Sequence, residues 1–359
     1  MKLSNFSSID WLLIISVGIL LIFSLITLFS INMQLFRSQL IFLIISVIVF
    51  LIFTQLNYSI LRYYSLQIYI ASIIILILVL ILGTESRGSV RWFEFLGFRI
   101  QFSEILKPFL ALSFASYLTG LKNYSFRFFM ISLILLAGVA FLIFLQPDLG
   151  NSLIYVFVAL GILIIYGFPF RWFLGGFVFW LTTLPFFWLI LQDYQKQRLL
   201  TFLNPARDPL GTSYNTIQAV IAIGSGMILG RGLGQGTQAE LRFLPELHTD
   251  FIFATISEEL GFIGSIIIIF TFAFIFYRIY IIIKNAEDKF SKIFSISVFL
   301  IIFVHFFINI GMNIGILPIV GVTLPFVSYG GSSLLSNFIL LGLLFAVNRK
   351  KRREALEIR

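Results

Sequence analysis

The chain of 359 residues contains no cysteine, so disulfide bonds and cysteine-ligated metals are excluded. It has only two histidines, His248 and His305, which are too few for a histidine-rich metal site. It also lacks a Walker A motif and a Rossmann glycine fingerprint. Any work that this chain performs is therefore not driven by nucleotide hydrolysis within it.

Charged residues are scarce as well. They make up 11% of the chain, whereas hydrophobic residues make up 59%, and the mean hydropathy is +1.03. No soluble globular domain has this composition, so the sequence predicts an all-α polytopic membrane protein, with residues 1–359 as one transmembrane domain. The first apolar run has no small-x-small cleavage site after it, and we expect a retained helix. Ten apolar runs are long enough to cross a bilayer, at residues 11–29, 38–56, 64–82, 103–121, 128–145, 150–168, 171–191, 251–283, 292–316 and 331–348.

The net charge of +9 comes mainly from basic residues near the ends of these runs, so it does not indicate a nucleic-acid partner. Placing the N-terminus in the cytoplasm puts most of them inside. Ten spans then place both termini in the cytoplasm, with residues 349–359 as a basic tail on the cytoplasmic (inner) membrane. The long loop at residues 192–249, between the seventh and eighth runs, lies outside.

Asp250 stands where that loop meets the eighth apolar run, and Glu258 and Glu259 follow about 12 Å deeper at 1.5 Å per residue. Carboxylates entering a bilayer are costly, which favours a functional role. With Thr249 as the helix N-cap, Asp250 falls in the first turn of the helix. There the helix dipole favours the ionised carboxylate, whereas apolar surroundings disfavour it. A carboxylate held between these two effects can act as a general base. The alternative is that Asp250 only caps the helix and the glutamates form buried structural pairs.

Other charged residues also enter the outer ends of the runs. Glu104 and Lys107 lie three residues apart, on one helix face, where an ion pair is the first interpretation and contact with a polar substrate the second. Asp148 follows Pro147 in a short outer turn, an arrangement common in turns, and has a functional role only if the fold brings it near Asp250.

Arginines recur in the outer segments and are suited to binding a diphosphate, because guanidinium groups bind phosphate bidentately. Each alone is typical of an interfacial anchor, but as a set beside a carboxylate they indicate a site for an anionic, lipid-linked substrate. Ser332, in Gly330-Gly-Ser-Ser333, either helps to bind an anion or is part of an ordinary N-cap. The candidate arginines are Arg91, Arg99, Arg198, Arg207 and Arg231.

Taken together, these segments resemble the SEDS family (shape, elongation, division, sporulation), and the resemblance covers nearly the whole chain in order. Phe102 and Ser89 depart from the family pattern, where proline and alanine are usual, and neither position is ionisable. The short N-terminus and Gly234-Gln-Gly-Thr-Gln-Ala-Glu resemble the RodA branch more than the FtsW branch. The matching motifs include Arg91-Trp92, Gln101-Phe-Ser-Glu104-Ile-Leu-Lys107, Gln146-Pro-Asp148-Leu-Gly150, Leu244-Pro-Glu-Leu-His-Thr-Asp250, Glu258-Glu-Leu-Gly261 and Leu324-Pro-Phe-Val-Ser-Tyr-Gly-Gly-Ser-Ser333.

The resemblance implies a peptidoglycan glycosyltransferase that polymerises lipid II, a disaccharide-pentapeptide on undecaprenyl diphosphate, at the outer face of the membrane during cell elongation. It implies a class B penicillin-binding protein as partner, together with other membrane proteins of the elongation complex. Asp250 would be the base, Glu104 and Lys107 would shape the cavity, and Asp148 would be a second functional carboxylate. Whether a divalent cation (Mg²⁺ or Mn²⁺) is needed at the diphosphate is left open.

Two rival functions remain at this point. A lipid II flippase would suit ten spans with charges inside the membrane, but no inverted repeat is visible, and only Glu258 and Glu259 lie deep enough for a site near the midplane. A non-catalytic scaffold for the penicillin-binding protein would need neither Asp250 nor the arginines.

Overall fold

The computed structural model describes residues 9–86, 89–95, 98–191, 193, 196–197, 200, 213–236 and 244–349. These residues are mostly helical, as the composition predicts. Much of the predicted long loop and the tail beyond Arg349 lie outside the described residues. The helices are α1 (Trp11–Ile31), α2 (Met33–Gln55), α3 (Tyr58–Tyr63), α4 (Ser65–Leu82), α5 (Phe102–Ile105), α6 (Lys107–Thr119), α7 (Phe126–Phe144), α8 (Leu149–Tyr166), α9 (Phe170–Ile190), α10 (Tyr214–Ser225), α11 (Ile252–Lys284), α12 (Lys289–Asn313) and α13 (Gly331–Val347).

Seven of the described helices (α1, α2, α4, α7, α8, α11 and α12) are long and apolar enough to cross a membrane. Helices satisfy every backbone hydrogen bond internally, which lipid requires. The apolar helix α13 is shorter, with 17 residues. The run at 103–121 is divided into α5 and α6, with Pro108 in the first turn of α6. The chain is therefore a multi-pass membrane protein, while the count of ten spans stays a prediction.

A small antiparallel sheet joins α4 to α5, and the all-α prediction did not include it. Its strands are β1 (Thr84–Ser86), β2 (Ser89–Phe95) and β3 (Phe98–Ile100), in the order β1-β2-β3. Residues 90–95 read Val-Arg-Trp-Phe-Glu-Phe, and β-branched and aromatic residues of this kind are favoured in strands. The sheet positions Arg91 and Arg99 next to the start of α5.

The centre of the bundle is α13, which is buried along almost its whole length and packs mainly against α2. A Cβ atom added at Gly342 would lie 2.8 Å from Cβ of Phe53, so only glycine allows the two helices to approach this closely. Helix α12 is also largely buried, between α6, α8 and α11. These two helices carry the loop that forms the candidate site.

Two polar contacts join α1 to α11 at opposite ends. Asp10 pairs with Arg278 at 2.6 Å, and the Ser30 hydroxyl donates to both carboxylate oxygens of Glu259 at 2.7 and 2.8 Å. Asp10 and Ser30 are about 30 Å apart at 1.5 Å per residue, which is about the thickness of a hydrocarbon core. We call the end marked by Ser30 and Glu259 the site end. The described basic residues at the opposite ends of the helices are Arg62, Lys122, Arg127, Arg171, Lys284, Lys289, Lys292 and Arg349.

Candidate active site

Two connections meet at the site end: the residues leading into α11, and the α12–α13 loop, which comprises residues 314–330. The Ser328 hydroxyl donates to the Thr249 carbonyl at 2.6 Å and accepts from the backbone N–H of Leu324 at 2.8 Å. The backbone N–H of Tyr329 donates to the carbonyl of His248 at 2.9 Å. These bonds hold the segment that contains Asp250 against the α12–α13 loop.

Asp250 is partly buried and lies just outside α11, not in its first turn as predicted. The N-cap residue is Phe251, which makes no side-chain cap. The Thr249 hydroxyl instead donates to the Glu246 carboxylate at 3.1 Å, so the prediction that Thr249 caps the helix was wrong. The backbone N–H of Asp250 donates to the Glu246 carbonyl at 3.2 Å. Its carboxylate is thus displayed from a loop that is fixed on both sides.

Gly321 of the α12–α13 loop lies against the Asp250 carboxylate. Its φ is +69°, and a Cβ atom added there would lie 3.3 Å from Oδ2 of Asp250. Glycine adopts this conformation without strain, whereas other residues rarely do. The loop backbone on the other side contacts Gly150, where an added Cβ would overlap the carbonyl oxygen of Val320. Residues 320–322 therefore touch both the Asp250 carboxylate and the Gln-Pro-Asp-Leu-Gly segment, so the fold brings the regions of Asp148 and Asp250 together.

Asp148 itself is 2% exposed and is the N-cap of α8. Its carboxylate accepts from the Asn151 backbone N–H at 3.2 Å, from Nδ2 of the same residue at 2.8 Å and from Nε2 of Gln101 at 2.6 Å. A guanidinium nitrogen of Arg91 lies 3.9 Å away. The structure thus places Asp148 as a buried anchor behind Arg91, whose side chain is 31% exposed.

Glu104 and Lys107 form the predicted ion pair at 2.8 Å, with side chains that are 7% and 3% exposed. Nζ of Lys107 also donates to Nε2 of His305 at 2.7 Å. Nδ1 of His305 lies 3.1 Å from the carbonyl of Thr323, which can only accept, so Nδ1 carries the proton. This series of polar contacts connects α6 to α12 and then to the α12–α13 loop.

The predicted set of arginines is only partly brought together. Arg91 lies beside Asp148, whereas Arg99 pairs with the exposed Glu94 at 2.9 Å. Arg231 is exposed, and its Nε donates to the Ser225 carbonyl at 3.3 Å. The remaining two predictions, Arg198 and Arg207, lie outside the described residues.

Ser332 is buried and does not cap α13, whose N-cap Gly330 makes no side-chain cap. Its hydroxyl instead accepts from the backbone N–H of Gln101 at 2.9 Å. The neighbouring Ser333 hydroxyl lies 2.9 Å from the hydroxyl of Thr323. The segment does supply the N-cap residue, Gly330, but neither serine caps the helix, and both join α13 to the rest of the polar network.

Glu259 lies at the level of the last turn of α1, not at the middle of that apolar helix. It is bonded to Ser30, the second-last residue of α1, and accepts from the backbone N–H of Gly234 at 3.0 Å. Residues 226–236 pack on the α11 backbone here, where the helix is interrupted at Gly261 with φ +66°. A site for transport at the centre of the bilayer is not supported by this position.

Three polar residues of α12 were not predicted to have a role: His305, Asn309 and Asn313. They are spaced four apart, so they lie on one helix face, and they are 3%, 0% and 0% exposed. This spacing within an otherwise apolar run was the signal that could have found them, because polar residues in membrane helices face the protein interior.

The fold and the site define a multi-pass helical membrane protein whose buried polar groups converge on one carboxylate at one end of the bundle. Residues 5–353 match the family model of FtsW, RodA and SpoVE, described as cell cycle protein. The chain is 38% identical over 292 residues to "Peptidoglycan glycosyltransferase MrdB" of Escherichia coli (strain K12), covering 79% of this chain and 78% of that protein. The chain therefore belongs to the FtsW/RodA/SpoVE family.

Solved structures agree with this assignment. One, described as "Structural coordination of polymerization and crosslinking by a peptidoglycan synthase complex", matches with a TM-score of 0.84 and 27% identity, over 96% of this chain and 99% of that one. The rod shape determining protein RodA of Thermus thermophilus matches with a TM-score of 0.75 and 24% identity, over 98% of this chain and 100% of that one. The second similarity supports the fold alone.

Proposed function

We propose that this protein is a peptidoglycan glycosyltransferase of the RodA type, which polymerises lipid II into glycan strands at the outer face of the cytoplasmic (inner) membrane. The observation that carries this proposal is the Asp250 carboxylate, held between two fixed loops at the site end. The relative of this protein in Escherichia coli is named "Peptidoglycan glycosyltransferase MrdB". Both termini lie in the cytoplasm in this proposal, and the product serves cell elongation and cell shape.

In the proposed mechanism, the 4-hydroxyl of the acceptor sugar attacks the anomeric carbon of the donor, and Asp250 accepts the proton. The bond to undecaprenyl diphosphate breaks, and the negative charge passes to the leaving group. Arg91, anchored by the buried Asp148, is the described residue that stabilises that charge in this mechanism. Arg198 and Arg207, which lie outside the described residues, are proposed to assist because of their charge. Glu104 and Lys107 act indirectly, by fixing the α12–α13 loop through His305.

A divalent cation is a separate proposal. Among the residues that the structure describes, no group of three or more His, Asp or Glu side chains is placed to hold a metal. Mg²⁺ is commonly bound by one or two carboxylates plus substrate phosphates, so the diphosphate itself would supply most of the ligands. No step above depends on this ion.

The proposed partner is a class B penicillin-binding protein that crosslinks the new strands, within a complex of elongation proteins. This proposal is supported by the similarity to a chain of a peptidoglycan synthase complex in which polymerisation and crosslinking are coordinated. The flippase and scaffold alternatives receive no specific support, since Glu259 lies level with the end of α1 and a scaffold would need neither Asp250 nor the arginines.

The test is polymerisation of labelled lipid II by the purified protein, with and without its co-expressed class B partner. We expect glycan ladders from the wild type and none from Asp250→Asn. The matched control is Asp288→Asn, because Asp288 caps α12 at the opposite end of the bundle and should not affect the chemistry. Ladders from Asp250→Asn at the wild-type rate would rule out Asp250 as the base. A wild type that is inactive even with the partner present would instead favour the flippase or scaffold alternative.

A further inference from the structure

Two buried asparagines of α12 contact the main chain of the proposed base. Asn309 and Asn313 are both 0% exposed, in a helix that is apolar enough to cross a membrane. A buried amide is costly unless its hydrogen bonds are satisfied, a cost that an aliphatic side chain would avoid. The groups to which these two amides are hydrogen-bonded therefore indicate their role in the site.

Asn313 takes the place of the first hydrogen bond of α11. In a regular helix the carbonyl of Asp250 would accept from the backbone N–H of Ala254. Here that N–H donates to Oδ1 of Asn313 at 3.1 Å, and the carbonyl of Asp250 accepts from Nδ2 of Asn313 at 3.0 Å. The side-chain amide thus separates the two groups, so regular bonding begins one residue later, from Thr255 to Phe251 at 3.1 Å. Asp250 is consequently held outside the helix.

Asn309 joins both sides of the site with one amino group. Its Nδ2 donates to the carbonyl of Asp250 at 3.0 Å and to the carbonyl of Val322 at 2.7 Å. An asparagine amide has two N–H donors, so both are used. Val322 follows Gly321, the residue against the Asp250 carboxylate. A single side chain therefore sets the separation between the base and the loop that faces it.

We propose that Asn309 and Asn313 are positioning residues for Asp250, a role that rests on the proposed glycosyltransferase function. They touch no reacting atom. They hold the carbonyl of Asp250 from two successive turns of α12, and so determine where its carboxylate points. Without them Asp250 can join the first turn of α11, and its carboxylate then moves away from Gly321.

The first test compares Asn309→Leu and Asn313→Leu with Ser297→Ala. Ser297 is equally buried on α12, and its hydroxyl donates to the Ile293 carbonyl of its own helix at 2.9 Å, so this variant reports general damage to the helix. A misplacement of 1 Å can lower a rate about 100-fold. We expect kcat for lipid II polymerisation to fall by about this factor in each asparagine variant, with KM little changed, and no change in the control.

The second test uses hydrogen exchange and needs no activity. In the full-length protein, amides of residues 250–256 should exchange faster in Asn313→Leu than in the wild type, and at the wild-type rate in Ser297→Ala. Unchanged exchange would overturn the proposal, as would a wild-type kcat in both asparagine variants. So would activity lost only in proportion to folded protein and to lipid II binding. A wild type that makes no glycan contradicts the proposed function instead, and the exchange comparison still tests the contact.

Discussion

Gly321 offers a way to disturb Asp250 without removing its carboxylate. Gly321→Ala introduces a methyl group 3.3 Å from Oδ2 of Asp250, at a φ of +69°. The left-handed conformation costs an L-residue about 1–2 kcal/mol, and the methyl group displaces either the carboxylate or the loop. We therefore expect glycan synthesis to fall by about tenfold or more in a protein that still folds, because small misplacements of catalytic groups are costly. The measurement is the initial rate of glycan synthesis from labelled lipid II.

Gly18→Ala is the matched control, because a Cβ atom at Gly18 in α1 meets nothing within 4 Å. Alanine is favoured over glycine inside a helix by about 0.5–1 kcal/mol, so this variant should be at least as stable and fully active. Equal rates for Gly321→Ala and Gly18→Ala would show that the contact with the carboxylate has no role in catalysis.

At this scale, the sequence identified residues whose chemistry is out of place in an apolar chain. Asp250, Glu104 and Lys107 were identified because a charged side chain in a membrane segment is costly and usually has a function. Their partners were not predictable. Lys107 meets His305 across 198 residues of sequence, and Gln101 meets Asp148 across 47. Such pairs follow from the packing of helices, which spacing along one chain does not encode.

At the scale of elements, the buried Glu104–Lys107 pair ties α6 to α12 through His305. Lys107→Met should destabilise the protein by about 3–5 kcal/mol, since it leaves Glu104 buried without its countercharge. The double variant Glu104→Leu with Lys107→Met should recover most of that loss, because an apolar pair needs no countercharge. Thermal unfolding of the purified protein in detergent is the measurement.

The control is the Arg99–Glu94 pair, in which both side chains are at least half exposed. Exposed pairs contribute little to stability, so Arg99→Met should leave the melting temperature almost unchanged. If Lys107→Met were equally harmless, the buried pair would not be needed to hold α6 against α12.

The start of α11 shows why elements are easier to predict than their ends. The apolar run at 251–283 indicated the helix, but the predicted cap at Thr249 began it at Asp250, two residues before its first residue, Ile252. Thr249 looked like the cap because threonine before an apolar run usually is one. The first turn is instead satisfied by Asn313, which lies 59 positions beyond Ala254 and belongs to another helix. A local rule therefore gave the wrong cap.

The described part of the molecule has a polar site end and a basic opposite end, and α1 and α11 are joined by a polar contact near each end of α1. Composition and charge distribution predicted this arrangement, because lipid admits only self-satisfied helices and basic residues favour the cytoplasm. The small sheet next to α4 was not predicted, since strands of three, seven and three residues between helices resemble an interfacial loop. Which end faces outwards is a prediction from charge alone, and the orientation decides whether the proposed site can reach a substrate in the outer leaflet.

This orientation can be measured directly because the chain has no cysteine, so every introduced thiol is unique. Glu94→Cys places an exposed thiol on the sheet at the site end, and Asn285→Cys places one between α11 and α12 at the basic end. We expect a membrane-impermeant maleimide to label the first in intact spheroplasts and the second only after lysis. The wild type should remain unlabelled and serves as the control. Labelling in the reverse order would put Asp250 on the cytoplasmic side, where an outer-leaflet polymerase could not use it.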